Sequence, residues 1–299
     1  MLRGVCEDPC YTVDMNCKES VIYHYTEISR LALILKNKTL RFNRLDRVND
    51  LTEARIEKGI NFGRLFFVSC WTNQGDESIP LWHMYTNRMA GVRVTLPQNP
   101  FRYRPFAPPD NWQPIQKSGT IMSPIDFEDA FTDEYFILTS FLKDDDLGAP
   151  VRYVDDVQSV YKDAVGIEWL PKSEFRISIK RLLDLPRLKA KCWSFEQEFR
   201  FILFIQPSLQ LPPKGLAEQS FPEKLANHMA NSLREGKGCA LEYKDIDLSP
   251  DVLDEITVTL GPCCTEGERI LVEELLERFT KNGRLERSAL AGTIRGTPR

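Results

Sequence analysis

Histidine is scarce in this chain. There are three among 299 residues, His24, His83 and His228, which argues against a zinc enzyme built on several imidazole ligands. No apolar run approaches the roughly 20 residues needed to cross a bilayer, so no membrane association is expected. The opening residues MLRGVCEDPC lack a charged segment followed by an apolar one, so no secretory signal is read and the expected compartment is the cytoplasm. No G-x-G-x-x-G follows a strand pattern and no Walker sequence occurs, so a Rossmann or P-loop nucleotide site has no support. G-x-S-x-G is missing, and serine-hydrolase chemistry with it. Internal repeats and low-complexity blocks are missing too. There is no excess of basic residues: 39 Lys and Arg face 43 Asp and Glu, a net charge of −4. The chain therefore lacks the general basic field of a nucleic-acid coat, although a local basic groove stays open.

What is present is globular. Hydrophobic residues make up 42%, charged residues 27% and aromatics 10%, which excludes collagen-like, disordered and disulfide-scaffold classes. The length allows a full core in one large domain or two small ones. Eight cysteines occur, and in a reducing cytosol they are thiols by default. The Cys6/Cys10/Cys17 spacing matches no zinc pattern. His24 is the nearest candidate for a fourth ligand, so plain thiols and no metal are expected. Cys263 and Cys264 read as turn residues.

Hydrophobic patterning gives an α+β order. SVIYHYT at 20–26 reads as a strand, and Thr26 reads as the N-cap of a helix over EISRLALILKN, which Asn37 and Lys38 end. TLRFNRL, RLFFVSCW at 64–71 and GVRVTLP read as strands. PLWHMYTNRMAG reads as a short helix starting at Pro80. The proline- and aromatic-rich stretch after it reads as irregular. Residues 127–170 read as acidic helices, and about 100–188 as a variable helical insertion. Residues 175–185 suit helix or strand equally. Residues 193–207 read as a strand, 215–236 as a helix, DEITVTLGP as a strand and GERILVEELLERFTKN as an amphipathic helix. Residues 281–299 read as a basic, flexible tail. The whole is expected to be a single domain over 1–299.

The segment Trp193–Ile202 is the most informative. In a strand, alternation puts Phe195, Phe199, Phe201, Leu203 and Ile205 on a core face, with Gln197 as an exception. Glu196, Glu198 and Arg200 then share the opposite face, the two acids about 6.5 Å apart. Like charges that close repel unless they share a cation, a proton or a ligand. A solvated edge strand with Arg200 pairing Glu198 is the plain interpretation. Bracketing by Trp193 and a long apolar run favours a central strand whose polar face meets a cavity. Carboxylates facing a cavity suit chemistry that builds positive charge, such as an oxocarbenium-like transition state. In VIYHYT, alternation places Ile22, His24 and Thr26 on one face, so an imidazole and a hydroxyl stand together at a strand end. A lone strand histidine is more often a packing residue.

The order YHYT, TLRFNRLDRVNDLTE, VSCW, LWHMYTNRMAGVRV, KCWSFEQEFR and ITVTLGP resembles a bacterial family of domains of unknown function. That family is marked by Tyr-His-Tyr-Thr, Asn-Asp-x-x-Glu, Trp-x-x-Tyr and Trp-x-x-Glu-x-Glu-x-Arg segments. The resemblance covers the first hundred residues and about Lys189 to Phe279. Its motif order is in turn similar to ADP-ribosyltransferases of the diphtheria-toxin-like class. This second similarity implies a split β-sheet core and NAD as substrate. His24 would bond the nicotinamide ribose, and Tyr25 (through its backbone) and Thr26 would meet the carboxamide. Glu198 would be catalytic, and Glu196 would orient or deprotonate the acceptor or pair with Arg200. Tyr85 or Trp82 would be the stacking aromatic, although both read as helical where the transferases use a strand. No Ser-Thr-Ser motif of the arginine-modifying subclass is present. The implied acceptor is a nucleic-acid base or a protein side chain. A toxin or phage-defence role is implied as well, with an antitoxin or inhibitor protein as partner.

Arg41, Arg44 and Arg47 suit a pyrophosphate by guanidinium chemistry, and solvation explains them equally. Asp50 and Glu53 read either as a capping-box-like pair or as ligand contacts. Trp82 and Tyr85, three apart on a helix, suit core packing as well as stacking. Two further functions remain open from the residues. One is a non-catalytic binding module using the Glu-x-Glu-x-Arg face. The other is a metal-dependent hydrolase using His24, Asp50, Glu53 and Glu198.

Overall fold

Strand β1 (Val21–Thr26) runs into helix α1 (Ile28–Asn37), which returns the chain to β2 (Thr39–Arg44) through Lys38 in the left-handed conformation. The computed structural model describes residues 20–55, 60–108, 121–138, 147–169, 171, 175–209 and 218–294. Cys6, Cys10 and Cys17 lie outside the described residues. After β2 come β3 (Phe66–Thr72), α2 (Ile79–Tyr85), β4 (Val92–Pro97), the short pair β5 (Arg104–Pro105) and β6 (Met122–Ser123), α3 (Phe127–Ala130), β7 (Tyr135–Leu138) and β8 (Gly148–Pro150). Then follow β9 (Arg152–Val154), α4 (Val157–Ala164), β10 (Val165–Trp169), β11 (Phe175–Ile179), β12 (Leu188–Ala190) and β13 (Glu198–Pro207). The chain continues through α5 (Phe221–Arg234), β14 (Tyr243–Asp247), α6 (Pro250–Asp254), β15 (Thr257–Leu260), α7 (Glu266–Phe279) and β16 (Arg284–Arg287).

Ten strands form one mixed sheet, ordered β14-β2-β3-β1-β4-β15-β16, with β13 on the other side of β3 and β7 and β8 beyond β13. The pairing of β3 decides where a cavity can open. Along one edge it pairs with β13 over its whole length, from Phe66↔Phe204 to Thr72↔Glu198. Along the other edge it pairs with β2 only at Val68 and Phe67 and with β1 only at Thr72. Strands β1 and β2 therefore diverge, and Ser69, Cys70 and Trp71 of β3 face the gap between them.

Both faces of the sheet are covered, which explains the near-continuous apolar run of β13. On one face Leu31 and Leu35 of α1 and Val272 and Leu276 of α7 pack with Phe42, Trp71, Phe199, Phe201, Leu203 and Ile205. On the other, Val68, Ile202 and Phe204 meet Tyr161 of α4, Leu185 and Leu188. Helix α7 has the complete capping box that its Thr265-x-x-Glu268 sequence encodes.

Several expectations are corrected. Thr26 does not cap α1: it ends β1, and Glu27 occupies the N-cap without a side-chain bond. The strand expected over 193–207 begins only at Glu198; Lys191–Glu196 form a 3₁₀ segment, and Gln197 takes a left-handed φ of 40°. The middle region is not an all-helical insertion. Its described part holds only α3 and α4 as α-helices, and it adds β7 and β8 to the main sheet. Residues 284–287 are not a loose tail but β16, parallel to β15, and Leu290 and Ile294 beyond it pack on Tyr25, Leu81 and Trp82.

Candidate active site

The gap between β1 and β2 holds a cavity of about 610 Å3. Consecutive residues of β1 (Tyr23–Thr26) and of β3 (Val68–Thr72) line it. Side chains on a strand alternate between faces, so only a strand bordering an open gap can offer neighbours of both faces to one cavity. Of the residues singled out from the sequence, His24, Tyr25, Thr26, Arg41, Tyr85, Glu196 and Glu198 line this space. Trp82 does not: it is fully buried, edge-on to Tyr25 at 4.8 Å, and its indole N–H donates to Glu77 at 2.9 Å.

His24 and the acids come from opposite faces. Glu198 pairs in register with Thr72, which pairs with Tyr23, so all three share a face and His24, the next residue, points to the other. The imidazole reaches into the gap, where Nδ1 lies 2.9 Å from the Cys70 carbonyl. This carbonyl is one that β3 leaves unpaired where β1 and β2 part. Burial pulls the imidazole down to about 4, despite that hydrogen bond. It is therefore neutral at physiological pH, with the proton on Nδ1 and Nε2 left as an acceptor. The Thr26 hydroxyl is buried and has no hydrogen-bond partner among the described residues.

The acids belong to a buried network that alternation alone does not reveal. The Arg200 guanidinium holds Glu198 through Nε–Oε1 at 2.6 Å and Nη2–Oε2 at 2.9 Å, and on its other side it grips both oxygens of Glu53, one of them at 3.0 Å. The Lys189 ammonium is 2.5 Å from Glu196, 3.2 Å from Glu198 and 3.6 Å from Glu53. The Tyr85 hydroxyl donates to Glu196 at 2.6 Å. Arg200 is fully buried, and Glu53, Lys189, Glu196 and Glu198 are each 5% exposed or less. Sharing cations is how these like charges sit together. Glu196 pairs with Lys189 and Tyr85, not with Arg200 as one expectation had it.

The two cavity-lining acids are pushed apart in acidity. Burial disfavours the Glu198 carboxylate, but Arg200 and Lys189 overcome that and hold it down at about 2. For Glu196 burial prevails over Lys189 and Tyr85, and its proton affinity rises. Burial also raises the Cys70 thiol, with Glu198 beside it adding to the effect. Three carboxylates and two cations leave the buried network with one negative charge, one proton short of neutrality. Glu53 does not line the cavity, whereas Glu196 and Glu198 line it together with both cations, Lys189 and Arg200.

Two arginines that line the cavity, Arg41 and Arg47, are already engaged. Arg41 donates two hydrogen bonds to Asp245, each at 2.9 Å, and lies over the Tyr243 ring, and Arg47 donates to Glu242 at 2.8 Å. Arg44 pairs with Asp46 and does not line the cavity. Asp50 and Glu53 form no capping box. The Asp50 carboxylate accepts from the amide and hydroxyl of Thr52, and Glu53 belongs to Arg200. Among the described residues, no group of three or more His, Cys, Asp or Glu is placed to hold a metal ion.

Lys189 is the member that sequence reasoning missed; Glu53 was read as a cap or a ligand contact, not as the partner of Arg200. Lys189 stands seven residues before Glu196, and no single strand or helix joins them, since Lys189 lies in β12 and Glu196 ends a separate 3₁₀ segment. Glu53 carried a signal, since an acid in Asn-Asp-x-x-Glu needs a partner once it is buried. No family model, curated protein or solved structure matches this chain, and what the site can do is argued from its own geometry.

Proposed function

We propose that this chain is an NAD-dependent ADP-ribosyltransferase that modifies a macromolecule, a nucleic-acid base or a protein side chain. The observation that carries this reading is the convergence of His24, Thr26, Glu196 and Glu198 on one cavity at the split in the sheet. The resemblance of the motif order adds to it, and the divergence of β1 and β2 suits the split core that the resemblance implies.

The chemistry follows from the charges. NAD carries a cationic nicotinamide, and Glu196 and Glu198 give the cavity two carboxylates for it to face. Neutral His24 accepts a ribose hydroxyl at Nε2, and the unpartnered Thr26 hydroxyl and the β1 backbone meet the carboxamide. The bond from C1′ to the nicotinamide nitrogen breaks, its electron pair leaving with neutral nicotinamide. Glu198, kept ionised by Arg200 and Lys189, faces the positive charge that grows at C1′. A lone pair of the acceptor forms the new bond to C1′, and its proton passes to Glu196. That transfer brings the buried network to neutrality, which a low-dielectric site favours.

Nicotinamide release from NAD, with whole-cell extract as acceptor source, tests the reading. Wild type is expected to release it and Glu198→Gln to lose the activity while keeping its circular dichroism. Wild-type-like turnover by that variant, or none by wild type with any extract, would reject the assignment. The complete pairing of Glu198 with Arg200 and Lys189 favours one other reading, a non-catalytic binding module. In that case NAD gives no thermal shift.

A further inference from the structure

We infer that Lys189 is a positioning residue for the two cavity-lining acids: its single ammonium holds Glu196 and Glu198 side by side and sets how much negative charge the pair presents to the cavity. The inference rests on the transferase reading for its consequence in turnover, but not for its charge arithmetic.

The geometry is specific. Lys189 is 4% exposed and sits on β12, paired in register with Tyr153 of β9. The groups that face the network come from several elements: Glu196 from the 3₁₀ turn, Glu198 and Arg200 from β13, Glu53 from the turn after β2, Cys70 from β3, Tyr85 from α2 and Tyr153 from β9. The Tyr153 hydroxyl accepts the Glu198 amide at 2.8 Å. The Trp193 ring lies under the ammonium at 4.5 Å and closes the side without a carboxylate. Arg200 cannot substitute for Lys189, because its donors are taken by Glu53, Glu198 and the Pro186 carbonyl. Glu196 has only Lys189 as a cationic partner among the described residues. Removing the ammonium leaves three carboxylates with one cation. A proton must then bind, and Glu196 is the acid that Arg200 does not hold.

The experiment compares wild type with Lys189→Met and Lys189→Arg in two measurements. The first is the pH profile of nicotinamide release. The expectation for Lys189→Met is an acid limb moved upward by one pH unit or more, about a tenfold lower rate on that limb, with KM for NAD within about threefold. Lys189→Arg keeps the charge and restores most of the limb. The second is a carbon-13 titration of carboxyl-labelled glutamates in the full-length protein, with Glu196→Gln to assign the resonance; it needs no turnover. The Glu196 resonance should titrate at least about one unit higher in Lys189→Met than in wild type. If Lys189→Met does not fold, Lys189→Gln, neutral but hydrogen-bonding, carries the same expectation. An unshifted resonance in a folded neutral variant overturns the inference even if NAD is turned over. A shifted resonance in a protein that never releases nicotinamide supports the positioning role and sinks the transferase reading alone.

Discussion

Glu53 and Arg200, 147 residues apart in sequence, meet face to face in the interior, Nη2 to Oε1 at 3.0 Å. This pair ties the loop after β2 to the start of β13, behind the cavity-lining Glu198. Its value lies in satisfaction rather than net attraction, since a buried ion pair often does no better than apolar packing. Breaking one half leaves a buried charge short of a partner. Glu53→Ala is therefore expected to lower stability by about 3 kcal/mol, read as a reduced midpoint in urea with an unchanged slope. Because Arg200 keeps Glu198, the variant should still fold in the cold. A loss below about 0.5 kcal/mol would place this pair with surface ion pairs.

Acid should weaken the fold in two steps, and the signs agree. His24 sits at about 4 when folded against an ordinary 6.5. The unfolded chain thus binds its proton first, and the stability it contributes is complete above pH 6.5 and lost as pH falls toward 4. Glu198 sits at about 2 against 4.5, so its contribution is complete above pH 4.5 and lost between there and 2. Each shift corresponds to about 3 kcal/mol at most. Glu196, whose proton affinity rises on folding, acts in the opposite sense, so urea midpoints should fall less between pH 7 and pH 3 than His24 and Glu198 alone would give, and His24→Asn should remove the part between pH 6.5 and 4. An unchanged pH slope in His24→Asn would show that another group carries the upper step.

The same variant separates the two nitrogens of His24. An asparagine amide can still donate to the Cys70 carbonyl but offers nothing where Nε2 stood. Stability at pH 8 should change by less than about 1 kcal/mol. On the transferase reading, nicotinamide release should fall about tenfold to a hundredfold, the loss of one hydrogen bond to substrate. Full activity would remove His24 from the ribose contact.

What the sequence made legible was local. Strands with strong β-branched and aromatic content, helices with caps and the Glu-x-Glu-x-Arg cluster could each be read within a window of ten residues. Thr26 shows the limit of that window: its residue type suits a cap, yet pairing with Val92 keeps it in β1. The 193–207 segment shows another. Its alternation was right from Glu198 onward, but nothing in Trp-Ser-Phe-Glu-Gln forecast the left-handed Gln197 that turns Glu196 out of the strand and toward Lys189. The middle region was misread because acidic residues at helix-like spacing in 127–170 outweighed the Tyr135–Leu138 run, which only the edge of β13 makes into a strand. Lys189 was not legible at all. Its role depends on four groups, Glu53, Trp193, Glu196 and Glu198, that only the fold brings around one ammonium.

The segment after β16 gives the last expectation. The Ser288 hydroxyl and the Ala289 amide both donate to Glu77, the latter at 2.7 Å, and the same carboxylate accepts from Trp82. Leu290 and Ile294 then cover Tyr25, Leu81 and Trp82. Glu77 stands just before α2, which carries Tyr85 to Glu196, and the Ser78 amide donates to the Tyr25 hydroxyl at 3.0 Å. Removing residues 288–299 would thus strip partners from Glu77 and apolar cover from the wall behind the cavity. The expected loss is about 2–3 kcal/mol, or roughly 3–5 °C in Tm for a chain of this size. Glu77→Gln in the full chain should reproduce part of it, because the amide keeps the acceptor but loses the charge. If the truncated chain melts within about 1 °C of wild type, the clasp contributes nothing and Tyr25 and Trp82 are held by β1 and α2 alone.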